Sequence, residues 1–124
     1  MNSNRPKNLD LTTIQLPLSA KASILHRISG IALFFGMIFV LYALDMSLAS
    51  EESFNQLKEC LQSPVAKFIT WGILAALGYH FVAGIKHLLM DMGIGETLEG
   101  GRIASTLTLI LGGLMIVLAG VWVW

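Results

Sequence analysis

His80 is the residue of this chain that most demands a chemical explanation. It stands three or four residues past the midpoint of residues 68–85, an 18-residue run without a formal charge. If that run crosses a bilayer as a helix, the imidazole lies roughly 5 Å from the bilayer centre. Leaving both ring nitrogens dry at that depth costs about a few kcal/mol, so the ring needs a partner. Gly72, Ala76, His80 and Gly84 step by four, which sets His80 in a ridge of small side chains. His87 returns two turns later on the same face, about 10 Å further along. Two chemistries fit this ridge. Small residues let membrane helices approach closely, and a histidine can hydrogen-bond across the seam. A groove of small residues also admits a flat macrocycle: a neutral imidazole is a good axial ligand for haem iron, and Gly84 leaves room one turn away. A single histidine supplies one ligand, so the second would come from another chain, because His26 and His87 fall nearer the membrane edge.

A second polar group opens the first apolar stretch, at Ser23-Ile24-Leu25-His26-Arg27-Ile28-Ser29-Gly30. At about 100° per residue, Ser23, His26, Arg27 and Gly30 fall within an arc of about 100°. A hydroxyl, an imidazole, a guanidinium and a gap for close approach thus point one way. On position alone, Arg27 could equally extend to lipid headgroups with His26 following it. As binding groups, Arg27 and His87 suit acidic propionates at the membrane rim. Asp91 reads by spacing as a helix-end carboxylate, and Cys60 as incidental. The six methionines and the Phe34-Phe35 pair read as packing or lipid-facing residues.

These groups need helices to hold them, and composition says which kind. The chain has 124 residues, 55% hydrophobic and 13% charged, against roughly 25% charged in an ordinary soluble domain. Its zero formal net charge argues against nucleic-acid binding, its apolar content against disorder, and its lone cysteine against a disulfide scaffold. An integral membrane protein fits. Residues 28–44, 68–85 and 103–124 form uncharged runs of 17, 18 and 22 residues. Each can extend through neutral flanks to the about 20 residues that a crossing requires. The expected fold is therefore all-α, with three transmembrane helices at 22–49, 64–91 and 103–124.

Six of the eight cations, Arg5, Lys7, Lys21, Arg27, Lys86 and Arg102, lie at one end of these helices and only Lys58 and Lys67 at the other. That bias predicts a cytoplasmic N-terminus and a periplasmic C-terminus in a bacterial inner membrane, with Trp71, Trp122 and Trp124 towards the outer boundary. Residues 1–21 are too polar, and too broken by Pro6 and Pro17, for a cleavable signal, and read as a cytoplasmic arm. Residues 50–63 make an outer loop, where Phe54, Leu57 and Leu61 suit a short interfacial helix. Ser63-Pro64 reads as a cap followed by proline in the first helical position. Gly93 and Gly95 open a charged cytoplasmic turn over residues 92–102.

With these motifs in view, the chain resembles the cytochrome b subunit of succinate dehydrogenase, the larger membrane anchor of respiratory complex II. The resemblance is carried by Ser23 to Gly30 as quoted above, and by His80-Phe81-Val82-Ala83-Gly84-Ile85-Lys86-His87-Leu88-Leu89-Met90-Asp91. The arm segment Arg5-Pro6-Lys7-Asn8-Leu9-Asp10-Leu11 adds to it. Lys86 and Lys7 depart from the family, which usually has arginine and an aliphatic residue there; Lys86 keeps the charge but not the bidentate fork. The resemblance implies a larger helical bundle shared with a smaller anchor subunit. It implies that His80 gives one axial ligand of a b-type haem and the smaller anchor the other. It further implies that Ser23 and Arg27 help bind ubiquinone, at a pocket completed by the smaller anchor and the iron–sulfur subunit. His26 and His87 would be propionate or pocket neighbours, and Asp91 a pocket or docking residue. Succinate chemistry would belong to the flavoprotein subunit, since this chain has no flavin or iron–sulfur motif.

Other classes fit less well. A transporter usually carries a carboxylate in mid-helix or an inverted repeat, and none of the three uncharged runs holds an acidic residue. A haem-free assembly subunit would use the Gly72–Ala76–Gly84 ridge for packing alone. A fumarate reductase anchor is separated only poorly by sequence.

Overall fold

The computed structural model describes residues 17–124, so the arm motif at residues 5–11 lies outside it. Four helices follow in order: α1 (Leu18–Ala49), α2 (Glu51–Cys60), α3 (Pro64–Asp91) and α4 (Leu98–Val123). As expected, three of them are long and apolar enough to cross a membrane. With 32, 28 and 26 residues, α1, α3 and α4 reach about 48, 42 and 39 Å, each beyond a hydrocarbon layer of about 30 Å.

Local chemistry fixes the ends. Ser63 caps α3 by accepting from the Ala66 amide at 3.2 Å, ahead of Pro64 in the first turn. The α3 terminus closes through glycine: Gly93 has φ +85°, its amide reaches the Met90 carbonyl at 3.0 Å, and Ile94 reaches Leu89 at 2.9 Å. That paired geometry satisfies carbonyls a helix end otherwise orphans. Two boundaries differ from the sequence reading. α1 starts at Leu18 rather than residue 22, because Pro17 presets the entry and its carbonyl accepts from Lys21 at 3.1 Å. α4 starts at Leu98 rather than residue 103, because Thr97 accepts from the Gly100 amide at 2.9 Å and Glu99 lies in the first turn. Charge marks where a span leaves the apolar layer; it does not end the helix. In the connection before α3, Ser50 caps α2 through the Ser53 amide, with Glu51 and Glu52 in the first turn and Lys58 in the last.

α3 is the central element, packed against both α4 and α1, while α2 contacts α1. Its inward residues are Ala75, Gly78, Tyr79, Ala83 and Lys86. α1 presents Ala22, Ser29 and Gly36 at heptad spacing, and α4 presents Gly101, Ser105, Thr108 and Gly112. The large apolar side chains point outward: Phe34 is 72% exposed and Phe81 64%. This inversion follows from lipid as the solvent, in which close backbone packing rather than apolar burial joins helices. Hydroxyls within the spans turn back on their own helix, as Thr70 does to Ala66 and Thr108 to Ala104, both at 2.8 Å. Trp71 does the same across helices. Its Nε1 donates to the Ile116 carbonyl at 2.9 Å, so this indole belongs to the α3–α4 seam as well as to the aromatic end it shares with Trp124.

Tyr79 ties the three spans together. Its hydroxyl donates to the Ala22 carbonyl at 2.9 Å, and its ring occupies the space that a side chain on Gly112 would need. Gly112→Ala is therefore expected to destabilise the subunit by about 1–3 kcal/mol through overpacking. Gly113→Ala, with nothing within 4 Å, is expected to be neutral or mildly stabilising. Thermal denaturation of the purified complex in detergent checks the pair.

Candidate functional site

Antiparallel packing of α1 on α3 brings all three histidines together. The His26 and His80 rings stack at 4.2 Å between centroids and 19° between planes. His87 lies 4.8 Å from His26, tilted by 43°. The depth difference expected between His26 and His80 is therefore absent: the antiparallel register of α1 on α3 sets the two rings side by side. Stacked rings present faces, not lone pairs, to one another. Among the described residues, no group of three His, Cys, Asp or Glu side chains could hold a metal ion.

The seat of His80 is built from α1. A Cβ on Gly30 would lie 3.3 Å from His80 Cε1, so the missing side chain lets the ring rest against the helix backbone. Ser29 Oγ donates to the His26 carbonyl at 2.6 Å. His80 Nδ1 lies 2.9 Å from Ser29 Oγ and 3.3 Å from that same carbonyl. A carbonyl only accepts, and the single serine proton already goes to it. Nδ1 therefore carries the ring proton and donates to Ser29, which leaves Nε2 with its lone pair. Among the described residues, Nε2 has no hydrogen-bond partner.

The four residues expected on one face of α1 divide. His26 and Gly30 meet α3, whereas Arg27 is exposed and Ser23 half-buried. The buried stripe explains this, because Arg27 stands roughly 160° round the helix from Ser29. His87 is half-buried, and Asp91, the last residue of α3, is exposed. The small-residue ridge of α3 also divides. A Cβ added at Gly72 or Gly84 would meet nothing within 4 Å, so this chain leaves space on both sides of His80. Close packing uses the neighbouring face instead. Lys86, expected to flank the connection after α3, is 7% exposed, with its Nζ donating to Ser105 Oγ at 3.5 Å. Ser29, Tyr79 and Ser105 were not singled out by sequence reasoning. For Ser29 the available signal was the heptad Ala22–Ser29–Gly36, which marks the side of α1 facing a neighbour.

Fold and site together define a three-span helical membrane protein, with a histidine-centred polar cluster between its first and second spans. The model of the family described as succinate dehydrogenase/fumarate reductase transmembrane subunit matches residues 1–121. A succinate dehydrogenase cytochrome b556 subunit of Coxiella burnetii is 44% identical over 125 residues, covering 100% of both chains. That of Paracoccus denitrificans is 34% identical over 102 residues, or 82% of this chain and 78% of the relative. The mitochondrial cytochrome b560 subunit of Sus scrofa is 34% identical over 113 residues, or 90% and 67%. The chain belongs to the succinate dehydrogenase/fumarate reductase transmembrane subunit family.

Proposed function

We propose that this chain anchors a succinate dehydrogenase in the membrane, gives one axial ligand to a b-type haem through His80 Nε2, and lends Ser23 and Arg27 to ubiquinone reduction. The observation that carries the haem assignment is the state of His80. Its Nδ1 is occupied by Ser29, its Nε2 is without a partner among the described residues, and Gly84 beside it is open. A haem bound there supplies a one-electron redox centre. Because His26 stacks on His80 face to face, the second axial ligand comes from another chain, the smaller anchor subunit. His26, His87 and Arg27 serve the propionates or the pocket wall.

Exposure of Arg27 in this chain supports a role towards something outside it. A guanidinium next to a quinone carbonyl stabilises the negative charge that gathers on oxygen as electrons arrive, and the Ser23 hydroxyl adds a hydrogen bond. Asp91, exposed at the end of α3, belongs to the pocket or to docking of the iron–sulfur subunit, which carries the flavoprotein subunit. The cation bias supports an N-terminus on the cytoplasmic side of a bacterial inner membrane and a C-terminus on the periplasmic side. The family description spans fumarate reductases as well, and the names of the relatives favour the succinate-oxidising complex.

The test is a dithionite-reduced minus oxidised absorption spectrum of the complex, purified from its native membranes through a tag on this chain. A sharp b-type spectrum is expected. A featureless one, with the partner subunits present, would remove the haem assignment and leave His80 as a packing residue.

A further inference from the structure

We propose that Ser29 is a positioning residue for His80: by accepting the Nδ1 proton it fixes the imidazole tautomer and ring plane, and so sets the donor strength of Nε2 toward iron. This rests on the haem reading above.

Three observations carry it. Ser29 Oγ lies 2.9 Å from His80 Nδ1 and 2.6 Å from the His26 carbonyl, and because that carbonyl only accepts, the chain is assigned as Nδ1–H to Oγ and Oγ–H to the carbonyl. Such a chain polarises each member, and a carbonyl at its end makes the serine oxygen a better acceptor. Ser29 is 7% exposed, so bulk water has little access to replace it. Gly30 is the third element, since its bare Cα holds the ring against α1 at the height of the Ser29 hydroxyl. The His26 carbonyl, at 3.3 Å, is a longer contact than the 2.9 Å to Ser29 Oγ, so it substitutes poorly. A metal-bound histidine that donates its other N–H is oriented by that bond and made more basic. A more basic ligand favours ferric over ferrous iron. Loss of the Ser29 hydroxyl is therefore expected to raise the midpoint potential of the haem and loosen its binding.

The experiment compares Ser29→Ala, Ser29→Thr, His80→Ala and the unaltered chain in the whole tagged complex. Haem retention under detergent challenge, redox potential and the low-spin ferric EPR spectrum are read. Ser29→Ala is expected to weaken haem binding by about 10-fold or more, within the usual range for such outer partners. It should also shift the potential upward and alter the EPR g-values. Ser29→Thr keeps a hydroxyl that can bond the preceding turn and is expected to restore the potential. An unchanged potential in Ser29→Ala, while His80→Ala loses the haem, overturns the proposal and leaves the haem reading standing. A shift of equal size in Ala and Thr overturns it too, since the hydroxyl is then not the cause. Haem retained in His80→Ala removes both readings. Pulsed EPR of the unaltered ferric complex with 15N-labelled histidine needs no variant: a protonated Nδ1 is expected, and a ring ligating through Nδ1 overturns the proposal.

Discussion

His80→Ala is expected to strip the complex of its b-type absorbance while leaving the subunit in the membrane. The two effects separate because His80 adds little to the frame that holds the spans. That frame is the Tyr79 contact with Ala22 and Gly112, the Trp71 bond to Ile116, and the small-residue seams of α1, α3 and α4. Removing the imidazole orphans nothing, because Ser29 still donates to the His26 carbonyl. The structural cost should stay near the about 0.6 kcal/mol typical of an interhelical hydrogen bond in a membrane. On the proposed ligation, the cost to haem is the loss of an axial ligand. Haem per flavin, from the pyridine haemochrome, should fall to a small fraction of the unaltered value with the subunit ratio unchanged. His87→Ala serves as the contrast, and should keep most of the haem. Equal losses in both would mean that the cluster acts as one packing unit.

Arg27→Ala should give the opposite pattern, with haem retained and quinone reduction reduced by about 100-fold. That magnitude is typical of removing one preorganised donor from a developing oxyanion. Arg27 is exposed in this chain, so its loss breaks no packing within it. Succinate oxidation by a water-soluble dye should remain near normal, because the dye takes electrons before they reach the membrane. Arg27→Lys should recover part of the rate, since an ammonium keeps the charge but not the planar fork. Steady-state rates with a short-chain ubiquinone and with the dye, measured on one preparation, provide the check. A parallel fall in both would place the defect in assembly and remove Arg27 from the quinone site.

The spans were legible in the sequence because lipid imposes a length and forbids charge, and both can be counted directly. Ser63-Pro64 and the two glycines after α3 were legible because each needs a residue type that few others replace. The inner faces were not. In a soluble helix the apolar stripe points inward, whereas here large apolar residues cover most of each span's surface, so hydrophobic periodicity carries no direction. The four-residue ridge around His80 was therefore open to two readings, close packing or a groove, and the chain leaves Gly72 and Gly84 open. Small residues at heptad spacing on α1 were the better guide, and they lead to Ser29. The meeting of His26 with His80 lay beyond any single-helix argument. It depends on the register of two antiparallel helices against each other, which the sequence of neither helix states.

Lys86 gives the spans a history. A ribosome delivers α3 before α4, and 19 residues separate this lysine from the serine that receives it. At about 5–20 residues per second, some 1–4 s of synthesis pass between the two. During that interval the ammonium has no Ser105 to meet, and its long stem must reach to the headgroups instead. The contact that seats this ammonium in the protein therefore forms only once α4 is made. The α3–α4 hairpin, rather than α3 alone, is the unit in which Lys86 has its partner. A chain cut short after Gly95 would leave Lys86 without the hydroxyl it meets in the finished bundle.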